Sequence, residues 1–256
     1  MKSIIPPSFI LAIAMNTFPL SAADTRCFEM RTYYAAPGKL EALHARFRDH
    51  TCKLFEKHAM VNLGYWVPLT NTENKLIYFL AYPSREARAA SWKAFGNDPD
   101  WKAAQKASEA NGPLVKKVES RLLSATDYSP AIAPSTNAES RVFELRIYTA
   151  SAGNLPALHT RFREHTVALF SKHGMQQLGY WSLLPGQERA DDTLIYLLAH
   201  KSQEAAEASF KAFRADPVWI AAKEASEKKA GGPLTQGGMA GVQSIFMSAT
   251  DYSPTK

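Results

Sequence analysis

The second half of this chain repeats the first half. Residues 27–66 align with residues 142–181 without a gap and are identical at 24 of 40 positions. The similarity continues to the end of each half, where residues 124–130 and 248–254 both read Ser-Ala-Thr-Asp-Tyr-Ser-Pro. Chance does not produce agreement of this length, so the sequence predicts two tandem copies of one structural unit.

Two further segments complete the predicted organisation. Lys2, the apolar stretch 4–20 and the small residues 21–23 form the pattern of a cleavable signal peptide, residues 1–23, which predicts a periplasmic or secreted protein. Residues 131–140 are small, polar and without hydrophobic period, which is typical of a linker. We therefore predict a first unit at 24–130 and a second at 141–256, with no transmembrane segment in the mature chain.

The pattern within one unit predicts its secondary structure. Residues 27–34 alternate like a strand, and apolar residues at three- and four-residue steps predict a helix over 39–58. A hairpin of 63–69 with 76–82 follows, then a helix capped at Ser84 and restarted at Asp98 with Pro99, and a last strand at 118–126. This β-α-β-β-α-β order predicts an α+β, ferredoxin-like unit. Two units can cover each other's bare sheet faces, which gives an intramolecular dimeric α/β barrel.

Short motifs in both copies resemble the NIPSNAP family. They are Glu-x-Arg-x-Tyr in the first strand, a glycine before the first helix, Leu-Phe-x-Lys-His at its end, Leu-Gly-Tyr-Trp in the second strand and Asp-Tyr-Ser-Pro at the close. The resemblance covers nearly the whole mature chain and implies the same barrel fold. It implies almost no chemistry, because this fold serves cofactor-free monooxygenases, lactone isomerases and haem-dependent enzymes alike.

Alternation along the first strand of each unit predicts where a site would be. If the apolar side chains face the helices, the polar ones face the barrel interior. The polar set is Glu29, Arg31 and Tyr33 with Glu144, Arg146 and Tyr148, and the apolar set is Phe28, Met30 and Thr32 with Phe143, Leu145 and Ile147.

Two interpretations of this polar set stay open. In the first, Arg31 or Arg146 binds an anion, Tyr33 or Tyr148 donates a hydrogen bond, and the glutamate orients the guanidinium. In the second, the Glu-Arg pairs only fix the packing and bind nothing. Tyr65, Tyr78, Tyr180 and Tyr196 could line the same cavity, whereas Trp66 and Trp181 are expected in the core.

The histidines do not predict a metal site, because their separations of six and eight residues do not bring two ligands together on a helix. His50 and His165 would be general bases or haem ligands if they reached the cavity. His58 and His173 are expected to cap the ends of their helices. Arg46, Arg48, Arg161 and Arg163 are expected in solvent.

Charge and cysteine content exclude some classes of function. The net charge of +6 comes from basic residues mixed with acidic ones, which argues against nucleic-acid binding. Cys27 and Cys52 align with Val142 and Val167, which favours free thiols. No cofactor is predicted. The remaining hypotheses are a protein that binds or transforms a small anionic or aromatic molecule, an interaction scaffold with a protein partner or a second copy, and, third, a haem enzyme or cofactor-free oxygenase.

Overall fold

The computed structural model describes residues 24–137 and 140–256. The predicted signal peptide lies outside the described residues. Eight antiparallel strands close into a barrel in the order β1-β3-β2-β8-β5-β7-β6-β4. This confirms the α+β prediction of two ferredoxin-like units that form one dimeric α/β barrel.

The first unit runs from β1 to β4. Its strands are β1 (Cys27–Ala35), β2 (Val61–Pro68), β3 (Lys75–Tyr82) and β4 (Val115–Ala125). Its helices are α1 (Leu40–Arg46) and α2 (Cys52–Lys57), joined by a π-helical turn (Phe47–Thr51), then α3 (Arg85–Asn97) and α4 (Pro99–Ser108).

The second unit repeats this order. Its strands are β5 (Val142–Thr149), β6 (Gln176–Leu183), β7 (Thr193–His200) and β8 (Val242–Ala249). Its helices are α5 (Leu155–Arg161), α6 (Val167–Lys172), α7 (Gln203–Ala215) and α8 (Pro217–Ala230), with a π-helical turn (Phe162–Thr166) between α5 and α6 and a 3₁₀ turn (Gly238–Gly241) before β8.

Helix boundaries follow from local chemistry. The side chain of Ser84 accepts a hydrogen bond from the backbone N–H of Ala87, and Ser202 does the same for Ala205. Asp98 and Asp216 cap the helices that begin at the following prolines. These caps satisfy backbone donors that have no partner within the helix, and they confirm the predicted restart of the second helix.

The barrel interior is an apolar core to which both units contribute. Side chains that alternate with the polar set of β1 and β5 meet there, among them Phe28, Phe79, Phe143, Trp66 and Trp181. Trp66 and Trp181 each fold across the glycine two positions earlier, Gly64 or Gly179, where a Cβ atom would collide with the indole. The prediction that both tryptophans are core residues is confirmed.

Helices cover the outer face of the sheet in each unit. A separate apolar cluster lies between helices and sheet in the first unit, built around Phe47 and Tyr78, and an equivalent one in the second around Phe162 and Tyr196. The strands are therefore buried on both faces. Cys27 and Cys52 are free thiols, as the alignment with valine predicted.

Each unit ends in a segment that docks on the other unit. These closing segments are residues 127–129 and 251–253. Asp127 pairs with Arg163 at 2.7 Å and Tyr128 hydrogen-bonds with Nδ1 of His159 at 2.7 Å. In the reciprocal arrangement, Asp251 pairs with Arg48 at 2.5 Å and Tyr252 with Nδ1 of His44 at 2.8 Å. The closing segments thus join the helix layers of the two units.

Candidate functional site

The polar side chains of β1 and β5 lie on the outer face of the barrel, under the helices. The alternation was predicted correctly, but the predicted direction was wrong: Glu29, Arg31, Tyr33, Glu144, Arg146 and Tyr148 do not point into the barrel interior. The physical reason is that the interior is shared by two apolar sheet faces, whereas the helix layer supplies hydrogen-bond partners for charged groups. A buried carboxylate is stable only where such partners exist.

In the first unit, Glu29 is fully buried and saturated with donors. Arg31 donates to it at 2.7 Å, and Arg88 donates from two nitrogens at 2.7 and 3.0 Å. Burial raises the pKa of Glu29, but the hydrogen bonds from Arg88 and Ser120 and the charge of Arg31 outweigh this effect and lower it to about 2. Further donors are Tyr82, Trp92 and Ser120.

The guanidinium of Arg31 is enclosed by the same residues. It lies over the indole of Trp92, 4.3 Å from the ring centroid, and its Nη2 lies 3.5 Å from the hydroxyl of Tyr33. In the first unit Glu29, Arg31 and Tyr33 therefore form a network within the protein, in which the buried Nε of Arg31 has no partner.

The second unit lacks three side chains of this network. Aligning 76–82 with 194–200 and 93–95 with 211–213 puts His200, Ala206 and Phe210 where the first unit has Tyr82, Arg88 and Trp92. Glu144 accepts hydrogen bonds from Arg146 at 2.7 Å and Ser244 at 2.6 Å, and His200 lies 3.1 Å away. Phe210, in place of an indole, lies over the guanidinium of Arg146.

A cavity of about 390 Å³ lies between the helices and the sheet of the second unit, with Arg146 and Phe210 in its wall. Its walls are largely aromatic, and its polar groups include Arg146, Tyr148 and Arg161. The aromatic side chains of the wall are Phe162, Phe170, Phe210, Phe213 and Trp219, and the mouth carries Arg214, Ile220, Lys223 and Met239.

Arg146 and Tyr148 present hydrogen-bond donors to this cavity. The guanidinium lies over the ring of Phe210, 3.9 Å from the centroid, with Nε bonded to Glu144 and Nη1 3.3 Å from the Tyr148 hydroxyl. Tyr196 also donates to the Tyr148 hydroxyl, at 2.9 Å. Within 24–137 and 140–256, Nη2 of Arg146 has no hydrogen-bond partner and the Tyr148 hydroxyl no acceptor. Arg146 and Tyr148 therefore both have hydrogen-bond donors that the described residues leave unused.

The remaining predicted site residues lie elsewhere. Tyr65, Tyr78, Tyr180 and Tyr196 are fully buried in the clusters between helices and sheet, below Tyr33 and Tyr148, and do not line the cavity. His50 is exposed and the His165 side chain is 40% exposed, so neither reaches it. Both histidines lie within the π-helical turns, where their side chains point toward solvent.

His58 and His173 do not act on their own helices alone. Nε2 of His58 lies 2.6 Å from Asp98, and Nε2 of His173 lies 2.8 Å from Asp216. Each histidine therefore ties the end of one helix to the capping aspartate of another.

The prediction for the helix arginines was wrong for two of the four. Arg46 and Arg161 are buried, at 5% and 6% exposure. Both arginines end a regular α-helix three residues after a buried leucine, Leu43 or Leu158, so they lie on the buried face and reach the last helix of the unit. The Thr166 hydroxyl donates to the carbonyl of Arg161 at 3.2 Å. The prediction failed because it placed charged residues at the edge of the apolar face in solvent.

The barrel interior is filled with side chains along most of its length. A hollow of about 650 Å³ remains at one end, lined by inward-facing groups such as Arg121, Thr149 and Gln243 and by the loop after β6. Ile132 of the predicted linker packs into the apolar core. No group of three or more His, Cys, Asp or Glu side chains in the described residues is arranged to hold a metal ion. No helix in the described part of the chain is long and apolar enough to cross a membrane.

Comparison with known proteins places this architecture among the dimeric α/β barrels. A proposed monooxygenase from Lactobacillus acidophilus superposes with a TM-score of 0.55 at 6% identity, over 88% of this chain and 94% of that one. A proposed monooxygenase from Fusobacterium nucleatum gives 0.56 at 8% identity, over 88% and 92%. These likenesses show the fold alone.

The model of the NIPSNAP family matches residues 28–130 and 143–254, so the chain belongs to the NIPSNAP family. An uncharacterised NIPSNAP domain protein from Burkholderia xenovorans is 24% identical, covering 41% of this chain and 99% of its own, with a TM-score of 0.37. No protein of curated function matches the sequence.

Proposed function

We propose that this protein binds a small anionic molecule in the cavity of its second unit, with Arg146 receiving the anion and Tyr148 donating a hydrogen bond to it. The observation that carries the proposal is the difference between two equivalent arginines. Arg31 has Nη1 and Nη2 bonded to Glu29 and Tyr33 and its buried Nε without a partner, whereas Arg146 borders a cavity with Nη2 unpartnered within the described residues.

The energetics of burial support this assignment. Arg146 is 9% exposed, and a guanidinium in such a place is stabilised by every hydrogen bond that it makes. Glu144 already orients it at 2.7 Å, so the site is organised before a ligand arrives. A carboxylate would accept from Nη2 of Arg146 and from the Tyr148 hydroxyl, which are charge-assisted bonds.

The size and walls of the cavity support a compact ligand. About 390 Å³ falls at the lower end of the range of small-molecule sites, roughly 300–1,000 Å³. Aromatic walls favour an apolar or aromatic body, so the ligand class is a small organic anion.

A matched pair of variants tests the proposal. Arg146→Gln and Arg31→Gln remove the same charge from equivalent strand positions, but only the first removes the cavity group. We expect aromatic carboxylates such as benzoate and 2-naphthoate to raise the melting temperature of the wild type by several degrees. We expect this shift to persist in Arg31→Gln and to vanish in Arg146→Gln, because binding to the native state alone stabilises it.

Ligand-induced shifts that are equal in the two variants would contradict the proposal, as would the absence of a shift with every anion of the panel. Melting curves without ligand provide the control, since both variants must retain a cooperative transition.

We also propose that the protein acts after export, on the basis of the signal-peptide pattern at residues 1–23. N-terminal sequencing of the protein recovered from the periplasm or medium should then begin at Asp24.

A further inference from the structure

We infer that the ligand carries two anionic groups and that Arg161 receives the second one. The inference rests on the proposed function, because it assigns a second recognition group to the same cavity. The ligand class that it names is a flat aromatic dicarboxylate.

Arg161 is buried but poorly paired. Its Nη1 lies 3.4 Å from Glu227 and 3.4 Å from the Ser226 hydroxyl, which is near the limit for a hydrogen bond. Its Nε is buried without a partner, as is Nε of Arg46 in the first unit. In the first unit the equivalent Arg46 reaches Glu109 at 2.8 Å.

The charge of Arg161 is therefore incompletely balanced. Burial lowers the pKa of Arg161, although an arginine remains protonated in proteins. The other carboxylate oxygen of Glu227, Oε2, lies 3.5 Å from Nζ of Lys223. The Arg161–Glu227 ion pair is long, at 3.4 Å, so an anion that enters the cavity would add to the stabilisation of the guanidinium.

The two arginines occupy separate parts of the wall. Arg146 comes from β5 and lies over Phe210, and Arg161 comes from the end of α5 and lies over Trp219, 5.1 Å from the ring centroid. Each ring covers one face of its guanidinium and leaves the nitrogen edge free to form hydrogen bonds. Phe162 and Phe170 lie in the same wall, so the ligand that this lining favours is a flat ring that carries an acidic group on each of two edges.

Titration calorimetry at low salt with paired ligands tests this inference. Terephthalate and isophthalate are compared with benzoate, and 2,6-naphthalenedicarboxylate with 2-naphthoate. We expect at least one dicarboxylate to bind the wild type about tenfold more tightly than its monocarboxylate, which corresponds to about 1.4 kcal/mol. In Arg161→Gln the affinities for the dicarboxylate and the monocarboxylate should be about equal, because the monocarboxylate still binds through Arg146.

Arg163→Gln is the matched control. Arg163 lies two residues further along, is exposed and bonds Asp127 outside the cavity, so its loss removes the same charge and should leave the preference intact. Arg161→Lys keeps the charge but not the planar fork, and an intermediate preference is expected.

Equal affinity of the wild type for each mono- and dicarboxylate pair would overturn the inference and leave the proposed function standing. A dicarboxylate preference that survives in a folded Arg161→Gln protein would also overturn it. If no carboxylate binds in an Arg146-dependent manner, both proposals fail. The comparison of mono- and dicarboxylates on the wild-type protein tests the inference even if Arg161→Gln does not fold.

Discussion

At the scale of single residues, the two copies show how one carboxylate can serve two arrangements. Glu29 and Glu144 occupy equivalent positions and are both fully buried. Glu29 is held by five side chains, and the arginine beside it is covered. Glu144 has fewer donors and leaves its arginine beside a cavity. Of the three replacements around Glu144, Phe210 in place of Trp92 is the one that lies in the cavity wall.

Glu29 should make the stability of the protein sensitive to acid. Its pKa of about 2 in the folded state is below its ordinary value of 4.5, so its contribution is complete above pH 4.5 and is lost as the pH falls toward 2. At roughly 1.4 kcal/mol per pKa unit, the loss is about 3 kcal/mol. We expect Glu29→Gln to be less stable than wild type at pH 7 and to lose less stability on acidification, measured by urea unfolding between pH 7 and pH 2.

Glu41→Gln, at an exposed position of α1, is the control for removing one carboxylate. An acid profile of Glu29→Gln that runs parallel to the wild-type profile would show that Glu29 is not the group responsible.

The sequence predicts which residues of β1 share a face, but not which face points inward. Alternation of Glu29, Arg31 and Tyr33 with Phe28 and Met30 is a property of the strand itself. Direction depends on what covers each face, and here both faces are buried. The donors that decide the matter, Arg88 and Trp92, lie more than fifty residues away on α3. A signal was present in β3, which is apolar at consecutive positions and so indicates burial on both sides.

At the scale of elements, the Gly-x-Trp sequence of β2 and β6 is the feature with the sharpest steric requirement. The strand register shifts next to Gly64 and next to Gly179, and each indole covers the glycine backbone from inside the barrel. The motif thus couples a β-bulge to the filling of the interior.

Gly64→Ala and Gly179→Ala should each destabilise the barrel, because the new methyl group displaces an indole that no space can accommodate. Overpacking of this kind costs about 1–3 kcal/mol, and urea unfolding followed by tryptophan fluorescence would measure it. Gly96→Ala in α3 is the control, since nothing lies near its Cβ and alanine favours a helix by about 1 kcal/mol. Equal stability of Gly64→Ala and wild type would contradict this account.

Most elements were predictable because their signals are local. Caps at Ser84 and Asp98, the turn between β2 and β3 and the period of each helix all lie within a few residues of the structure that they specify. The π-helical turns were not predictable in this way. They insert a residue into an otherwise regular pattern, directly after Arg46 and Arg161.

At the scale of the whole molecule, each unit depends on the other to cover its inner sheet face. The two seams of the barrel pair β2 with β8 and β4 with β6. Side chains from both units interleave in the interior, so one unit alone would expose Phe28, Trp66 and Phe79 to water.

The first unit alone, residues 24–130, should therefore associate into a symmetric homodimer in which β2 of one copy pairs with β4 of the other. Light scattering after gel filtration would give its mass. Tyr128→Ala should weaken this dimer, because the closing segment would then lose its contact with His44 of the second copy, while Val61→Ala on the exposed surface should not. A stable monomer of residues 24–130 would show that one unit does not need the other to cover its inner sheet face.

The repeat predicted the closed barrel because two equal sheets with bare faces have a simple way to cover each other. It could not predict an open cavity in one copy only. That difference arises from side chains at which the copies disagree, and a comparison of the halves marks such positions without saying which of them create space.

The closing segments have a consequence for how such a duplicated chain can change over time. Tyr128 hydrogen-bonds with His159 of the second unit, and Tyr252 with His44 of the first. A substitution in either closing segment therefore changes a contact of the opposite unit. A substitution at such a position in one half therefore alters the packing of the other half. Residues 124–130 and 248–254 are identical. Ala206 and Phe210 lie on α7, within the second unit. Such positions can differ between the copies, as they do here, without altering the closing segments.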